Sequence, residues 1–320
     1  MPRFVAPMLA SPASSFPADD AGVAFEVKWD GVRAIVVCEP SGMRVLSRNG
    51  NEISEAYPEL AGLRDALGSR RAILDGEIVV LDAEGHPCFE ALQSRIHLRG
   101  ESAVQHEAQR APVTMMFFDL LWLDDRCLMD LPYSERRALL DGLALDGDRW
   151  RTPAFHVGQG AAMLEATREL GLEGVVAKPL DSRYVPGRRS RTWLKVKHTA
   201  RQEFVIGGWT TGKGSRASQF GALHLGVYEE GRLRYAGRVG TGFDDRELRR
   251  LLALVEPLAR DTSPFEGVQP PRGARYARPE LVCEVEFTMW TSQGVLRNPV
   301  YKGLRDDKPA SDVLRERPAA

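Results

Sequence analysis

Apolar residues along this chain gather in short runs set apart by turn-forming residues. Ala34-Ile-Val-Val and Arg44-Val-Leu-Ser read as paired strands with Glu39-Pro-Ser-Gly as the turn between them. Ala72 to Leu81 and Val113 to Trp122 are rich in β-branched and aromatic residues, the composition of buried strands. Ser134 to Leu140 predicts a short helix with Ser134 as N-cap and Gly142 near its end, and Ala161 to Leu170 a second helix stopped by Gly171. Gly174 to Ala177 and Thr192 to Lys197 are strand-like again.

The composition shifts after His198-Thr-Ala-Arg. Strand-like segments then dominate: Glu203 to Trp209, Ala222 to Tyr228, Leu233 to Val239 and Leu281 to Trp290. One helix interrupts them, Asp244 to Glu256, with Asp244 as its N-cap. Several short strands and one helix in a segment of this size fit a small barrel of the OB type. The expected class is therefore α+β, with a domain boundary near residue 199. Residues 1–198 mix antiparallel sheets with helices, and residues 199–320 form the β-barrel domain. No internal repeat is present.

Composition narrows the setting. The chain has 320 residues, 43% hydrophobic and 27% charged, as in a soluble globular protein. Its formal net charge is −1, so attraction to nucleic acid has to come from local patches. Cys38, Cys88, Cys127 and Cys283 are far apart, which argues against a zinc site or a disulfide framework and suits a reducing cytoplasm. The apolar stretch at the start is broken by Pro7 and is too short for a signal peptide. No run approaches the roughly 20 apolar residues of a membrane span. A soluble, cytoplasmic protein is expected.

Candidate chemistry begins at Phe25-Glu-Val-Lys-Trp-Asp-Gly-Val-Arg. Alone, Lys-x-Asp-Gly recurs by chance, and most lysines are solvated surface charges. Its company changes the reading. Downstream, in order, stand Leu46-Ser-Arg-Asn-Gly, Leu74-Asp-Gly-Glu-Ile-Val, Phe117-Phe-Asp-Leu-Leu, Glu173-Gly-Val-Val-Ala-Lys, Trp193-Leu-Lys-Val-Lys and Leu296-Arg-Asn-Pro-Val-Tyr-Lys-Gly-Leu-Arg-Asp-Asp-Lys-Pro. This ordered set resembles the nucleotidyltransferase motifs shared by ATP-dependent DNA ligases, RNA ligases and mRNA capping enzymes. The likeness is closest to the ligase domain of bacterial non-homologous end-joining ligases, and even the opening Pro7-Met-Leu-Ala fits it. It covers nearly the whole chain and identifies residues 1–198 as an adenylation domain.

The resemblance implies a lysyl-AMP phosphoramidate on Lys28, formed from ATP with Mg²⁺ or Mn²⁺. An unperturbed lysine has a pKa near 10.4, so at pH 7 only about one in 2500 is the free amine. Neighbouring cations and desolvation lower that barrier. In an extended Glu26 to Lys28, residues 26 and 28 point to one side and Val27 to the other. The resemblance places Glu26 at the adenine amino group, counts Val27 among the nucleotide contacts, and stacks Phe118 on the adenine ring with Val175 or Val176 opposite. It assigns Glu173 to the metal and Glu77 to the ribose hydroxyls with a metal role. Asp30 is tied to the DNA-joining steps. Arg33 and Arg48 resemble positions that grip the nucleotide or the DNA 5′-phosphate, for which the guanidinium fork is suited. Lys195 and Lys197 alternate with Leu194 and Val196, so a strand aims both ammonium groups at one face, where a triphosphate would relieve their repulsion. Arg305 and Lys308 of the last motif are expected to orient pyrophosphate, with Asp307 shaping that motif.

Residues 178–216 hold ten Lys or Arg against two acidic residues, a net charge of +8. Arg189, Lys213 and Arg216 from this stretch join Arg48 and Asp30 as expected DNA contacts. The six histidines show no metal-ligand spacing, and Thr211-Gly-Lys-Gly-Ser lacks the spacing of a Walker loop. Nicked or broken duplex DNA is the expected partner, with Ku as a companion in double-strand-break repair, no membrane and a monomeric state. A stand-alone ligase and one module of a longer polypeptide both fit. An RNA ligase or capping-type nucleotidyltransferase shares the lysine chemistry, and a catalytically silent DNA-binding module is the alternative from another class.

Overall fold

Strand-forming sequence becomes strand through most of the chain, which the computed structural model describes over residues 1–212, 219–291 and 293–316. Two compact units result, Met1–Lys197 and His198–Ala320. The principal strands of the first are β1 (Leu9–Pro12), β2 (Val23–Val27), β3 (Val32–Glu39), β4 (Gly42–Ser47), β5 (Ala72–Val80), β6 (Val113–Leu123), β7 (Gly174–Pro179) and β8 (Arg189–Lys197). Its longer helices are α1 (Glu101–Arg110), α2 (Tyr133–Asp141) and α3 (Gly160–Glu169).

One sheet runs β4–β3–β5–β6, antiparallel throughout and extended by short strands at its margin. The other runs β1–β8–β7–β2, with β1 parallel to β8 and the remaining pairs antiparallel. The first sheet buries Val36, Leu74, Ile78 and Phe117 with Leu140 of α2. Its other face packs Ile35, Val37, Ile73 and Leu121 against Met8, Tyr184 and Trp193. Apolar residues on both faces explain why β5 and β6 read as continuous runs and not as an alternation. In the second sheet, Phe25, Val175 and Ala177 pack on Met163 and Leu164 of α3.

The second unit contains β9 (Ala200–Thr211), β10 (Phe220–Glu229), β11 (Arg232–Val239), α4 (Asp245–Val255), β12 (Ala274–Phe287) and β13 (Val300–Arg305). Its antiparallel sheet runs β11–β10–β9–β12, and β13 pairs with the outer edge of β12. Between the pairs Ile206–Leu281 and Gly208–Tyr276 the register of β9 and β12 shifts, as at a β-bulge. Phe204, Ile206, Leu223, Leu225 and Val285 form one core with Leu248, Leu251 and Val255 of α4. The arrangement is of the OB type, and the whole is α+β with strands predominating. The α4 N-cap is Asp244, whose side chain accepts the Glu247 N–H at 2.7 Å.

One expected cap is wrong. The N-cap of α2 is Pro132, and Ser134 lies inside the helix. The Ser134 N–H donates to the Leu180 carbonyl at 2.9 Å, so a tertiary contact replaces the side-chain cap. The helix starts earlier than its sequence suggests because Tyr133 is drawn fully into the interior.

Candidate nucleotide-binding site

Cross-strand register assembles the site. Across β2, β7 and β8, Glu26 stands opposite Val176, and Val176 opposite Lys195. One row further on, the Lys28 N–H donates to the Gly174 carbonyl, and Gly174 stands opposite Lys197. From the other sheet, Arg33 stands opposite Glu77. Phe118 falls where the β5–β6 register slips between Asp75–Asp119 and Gly76–Phe117, so a bulge turns its ring out of the ladder.

Two of the motif glycines have steric reasons. A Cβ at Gly31 would lie 2.1 Å from the Ile78 carbonyl oxygen, so only glycine lets the chain after Lys28 cross β5 this closely. Gly174 has φ +148, and a Cβ there would lie 2.2 Å from the Val196 carbonyl oxygen.

A single pocket takes in Glu26, Val27, Lys28, Arg33, Arg48, Glu77, Phe118, Val176, Arg189 and Lys195. Val176 faces it, whereas Val175 is buried in the core with Phe25. Lys28 is mostly enclosed, its side chain 18% exposed, and its amine is in contact with a Glu173 carboxylate oxygen. The other Glu173 oxygen accepts Lys197 at 2.6 Å. Burial would push the Glu173 carboxyl up, but the charges of Lys28 and Lys197 and their hydrogen bonds outweigh it and hold it below the usual range. Lys195 is held below the ordinary lysine value: burial and then the charges of Lys28, Lys197 and Arg189 lower it. A cluster of cations meeting this little solvent is built to receive an anion.

Glu77 is pushed up to about 7, by burial first, with Arg33 and Lys28 opposing and Asp75 and Glu173 reinforcing. Arg33 grips the fully buried Asp75 through Nε and Nη2, at 2.5 and 2.6 Å, and its guanidinium lies 4.5 Å from the Phe118 ring centroid. Tyr184 donates to the same Asp75 at 2.6 Å and accepts the Met8 N–H, tying the N-terminal segment to the pocket. Among the described residues no group of three or more His, Cys, Asp or Glu is placed to hold a metal. Glu173 and Glu77 offer two hard oxygen donors near each other, a set that suits Mg²⁺ or Mn²⁺ completed by water and phosphate.

The remaining expected residues lie elsewhere. Asp30 does not line the pocket. Arg305 and Lys308 belong to the second unit, where both pair with Glu203 at 3.2 Å, and Arg305 also holds Asp307 at 2.7 Å. Lys213 and Arg216 lie outside the described residues. Sequence reasoning missed Leu9, Ala10, Trp29 and Lys178, all of which line the pocket. Each sits inside a recognised motif, so adjacency to motif residues was the available signal.

Residues 7–197 match the family described as ATP dependent DNA ligase domain, and residues 216–308 match ATP dependent DNA ligase C terminal region. The multifunctional non-homologous end joining DNA repair protein LigD of Mycobacterium tuberculosis is 42% identical over 315 residues, spanning 98% of this chain and 40% of that protein. LigD of Pseudomonas aeruginosa is also 42% identical, over 328 residues, 100% of this chain and 37% of that one. This chain thus spans about two-fifths of the length of these relatives. The crystal structure of the ligase domain from M. tuberculosis LigD is similar at 41% identity and TM-score 0.54, covering 98% of both chains. A mycobacterial DNA ligase D complexed with ATP and MES gives 40% and 0.55, also with 98% of both chains covered. With its lysine, carboxylates and cations arranged around one pocket and both of its units matched, the chain belongs to the ATP-dependent DNA ligase family.

Proposed function

We propose that this chain joins DNA strands with ATP, through AMP carried on Lys28, as part of double-strand-break repair by end joining. The observation that carries the reading is the position of the Lys28 amine, enclosed beside Glu173 in a pocket that also holds Lys195, Glu26 and Phe118. Residues 1–198 act as the adenylation domain and 199–320 as the OB domain.

Adenine lies against Phe118 with its 6-amino group toward Glu26, and base–aromatic stacking of this kind contributes roughly 1 to 3 kcal/mol. Arg33, held rigid by Asp75, and Lys195 meet the phosphates. Glu173 now pairs with the amine of Lys28, so this ion pair has to open before the nitrogen lone pair attacks the α-phosphorus and pyrophosphate leaves. Glu173 and Glu77 would hold a Mg²⁺ or Mn²⁺ ion, which supplies positive charge against the triphosphate. Arg305 and Lys308 serve pyrophosphate departure. AMP then passes to the 5′-phosphate of a nick, and the 3′-hydroxyl displaces it, with Asp30, Arg48 and Arg189 at the DNA.

Incubating wild type and Lys28→Ala with labelled ATP and metal tests the first step. Covalent label on wild type only is expected; no label on wild type, or label surviving in Lys28→Ala, overturns the reading. Nicked DNA against nicked RNA, and ATP against GTP, separate it from RNA ligases and capping enzymes. Ku is the partner this reading names, in the cytoplasm and with a monomeric ligase, and faster end sealing in its presence is the expected result.

A further inference from the structure

Glu26 does not stand free at the back of the pocket. Its side chain is 8% exposed, and three groups converge on it from other elements. Lys178 of β7 holds one carboxylate oxygen at 2.8 Å. The hydroxyl of Tyr133, in the first turn of α2, donates to the other. Arg137, one turn further along α2, places Nη1 3.9 Å from that same oxygen, too far for a hydrogen bond. Among the described residues this buried Nη1 has no hydrogen-bond partner, so it pulls electrostatically on a carboxylate it does not reach. Tyr133 is fully buried and does not line the pocket. Burial, and then the neighbouring Glu26 charge, raise its phenol well above the ordinary value, which keeps it a donor.

We propose that Tyr133 is a positioning residue for base recognition, its hydroxyl holding the Glu26 carboxylate toward the pocket against the pull of Arg137, so that the enzyme selects a purine carrying a 6-amino group. The inference rests on the reading of Glu26 as the partner of that amino group. A carboxylate has about four lone-pair sites. Tyr133, from outside the pocket, and Lys178, from its lining, each occupy one, which fixes the plane of the group and leaves the remaining acceptor directions for the base. Without the hydroxyl, the oxygen it holds swings to the unpaired Arg137 nitrogen, and the acceptor turns away from the nucleotide.

The test measures lysyl-nucleotide formation with ATP and with purine riboside 5′-triphosphate, which lacks only the 6-amino group. Tyr133→Phe is expected to raise KM for ATP by about tenfold, the effect of one well-placed hydrogen bond, with kcat unchanged. KM for purine riboside triphosphate should stay within about twofold, because that substrate never uses Glu26. Equal losses on both substrates would mean that the hydroxyl merely supports the fold, and no loss on either would mean that it does not matter; both overturn the proposal. Should Tyr133→Phe not fold, 3,5-difluorotyrosine at position 133 keeps ring and hydroxyl while altering the donor. It is expected to change the ATP preference without changing KM for purine riboside triphosphate, and an unchanged preference overturns the proposal. Glu26→Ala is the reference. If it still distinguishes the two triphosphates, the reading of Glu26 itself fails; if it does not and Tyr133→Phe still does as well as wild type, only the role of Tyr133 fails.

Discussion

His224 shows how a single buried group writes pH dependence into stability. Its ring is fully buried in β10, with Nε2 2.7 Å from the Thr210 hydroxyl of β9 and Nδ1 3.3 Å from the Tyr235 hydroxyl of β11. Burial, and then the charge of Arg238 on β11, lower its pKa to about 4. In the unfolded chain the same imidazole takes up its proton near pH 6.5. The folded value is depressed, so the contribution to stability is complete above about pH 6.5 and is lost as pH falls toward 4, where the unfolded state binds one proton more. The slope this adds approaches about 1.4 kcal/mol per pH unit within that window. Urea unfolding of the second unit between pH 7 and 4.5 should therefore weaken faster for wild type than for His224→Gln, which carries no titrating ring. Parallel profiles for the two proteins would show that His224 takes up its proton in the fold as readily as in the unfolded chain.

At the scale of elements, the β7–β8 ladder sets the distance between Glu173, which precedes Gly174, and Lys197, which pairs with it. Gly174→Ala combines a left-handed φ of +148 with a contact of 2.2 Å to backbone, and neither atom is the end of a flexible side chain. The ladder has to shift, at a cost on the order of 1 to 3 kcal/mol. We expect a lower melting temperature and a slower formation of lysyl-AMP together, measured beside Gly22→Ala, where a Cβ meets nothing within 4 Å. Wild-type labelling by Gly174→Ala would show that the ladder does not set the site. The same scale separates what the chain's pattern displays from what it hides. Strands β3, β5 and β6 were legible because runs of Ile, Val, Leu and Met leave little else to form, and the motif glycines were legible as parts of motifs. The bulge that frees Phe118 was not, since register depends on two strands at once. Nor was the start of α2: Pro132 and Tyr133 open the helix because Tyr133 reaches Glu26, 107 positions away, and no local signal records so distant a contact.

Over the whole molecule, charge is nearly balanced, 43 Lys and Arg against 44 Asp and Glu, so the protein as a whole offers a polyanion no net attraction. The imbalance is local: residues 178–216 carry +8, and within them Arg189 and Lys195 already line the nucleotide pocket. Arg188 and Arg191 flank Arg189 with exposed side chains at and beside the start of β8, outside that pocket. If duplex DNA is held by this stretch, its binding falls linearly in log–log form with salt, with a slope near −0.9 for each phosphate neutralised. Replacing Arg188 and Arg191 with glutamine should then weaken nicked-duplex binding, make the slope shallower by about two, and leave lysyl-AMP formation from ATP near the wild-type rate. The measurement is a salt titration of binding to a nicked duplex beside a labelling time course. Since the substitutions shift the total charge by only two, a general electrostatic effect predicts the same change for two arginines on another exposed face, such as Arg246 and Arg249 of α4. A slope that changes equally for both pairs would remove the 178–216 stretch from the DNA interface; a change confined to Arg188 and Arg191 would place the duplex along the rim of the pocket, where the proposed lysyl-AMP would meet its 5′-phosphate.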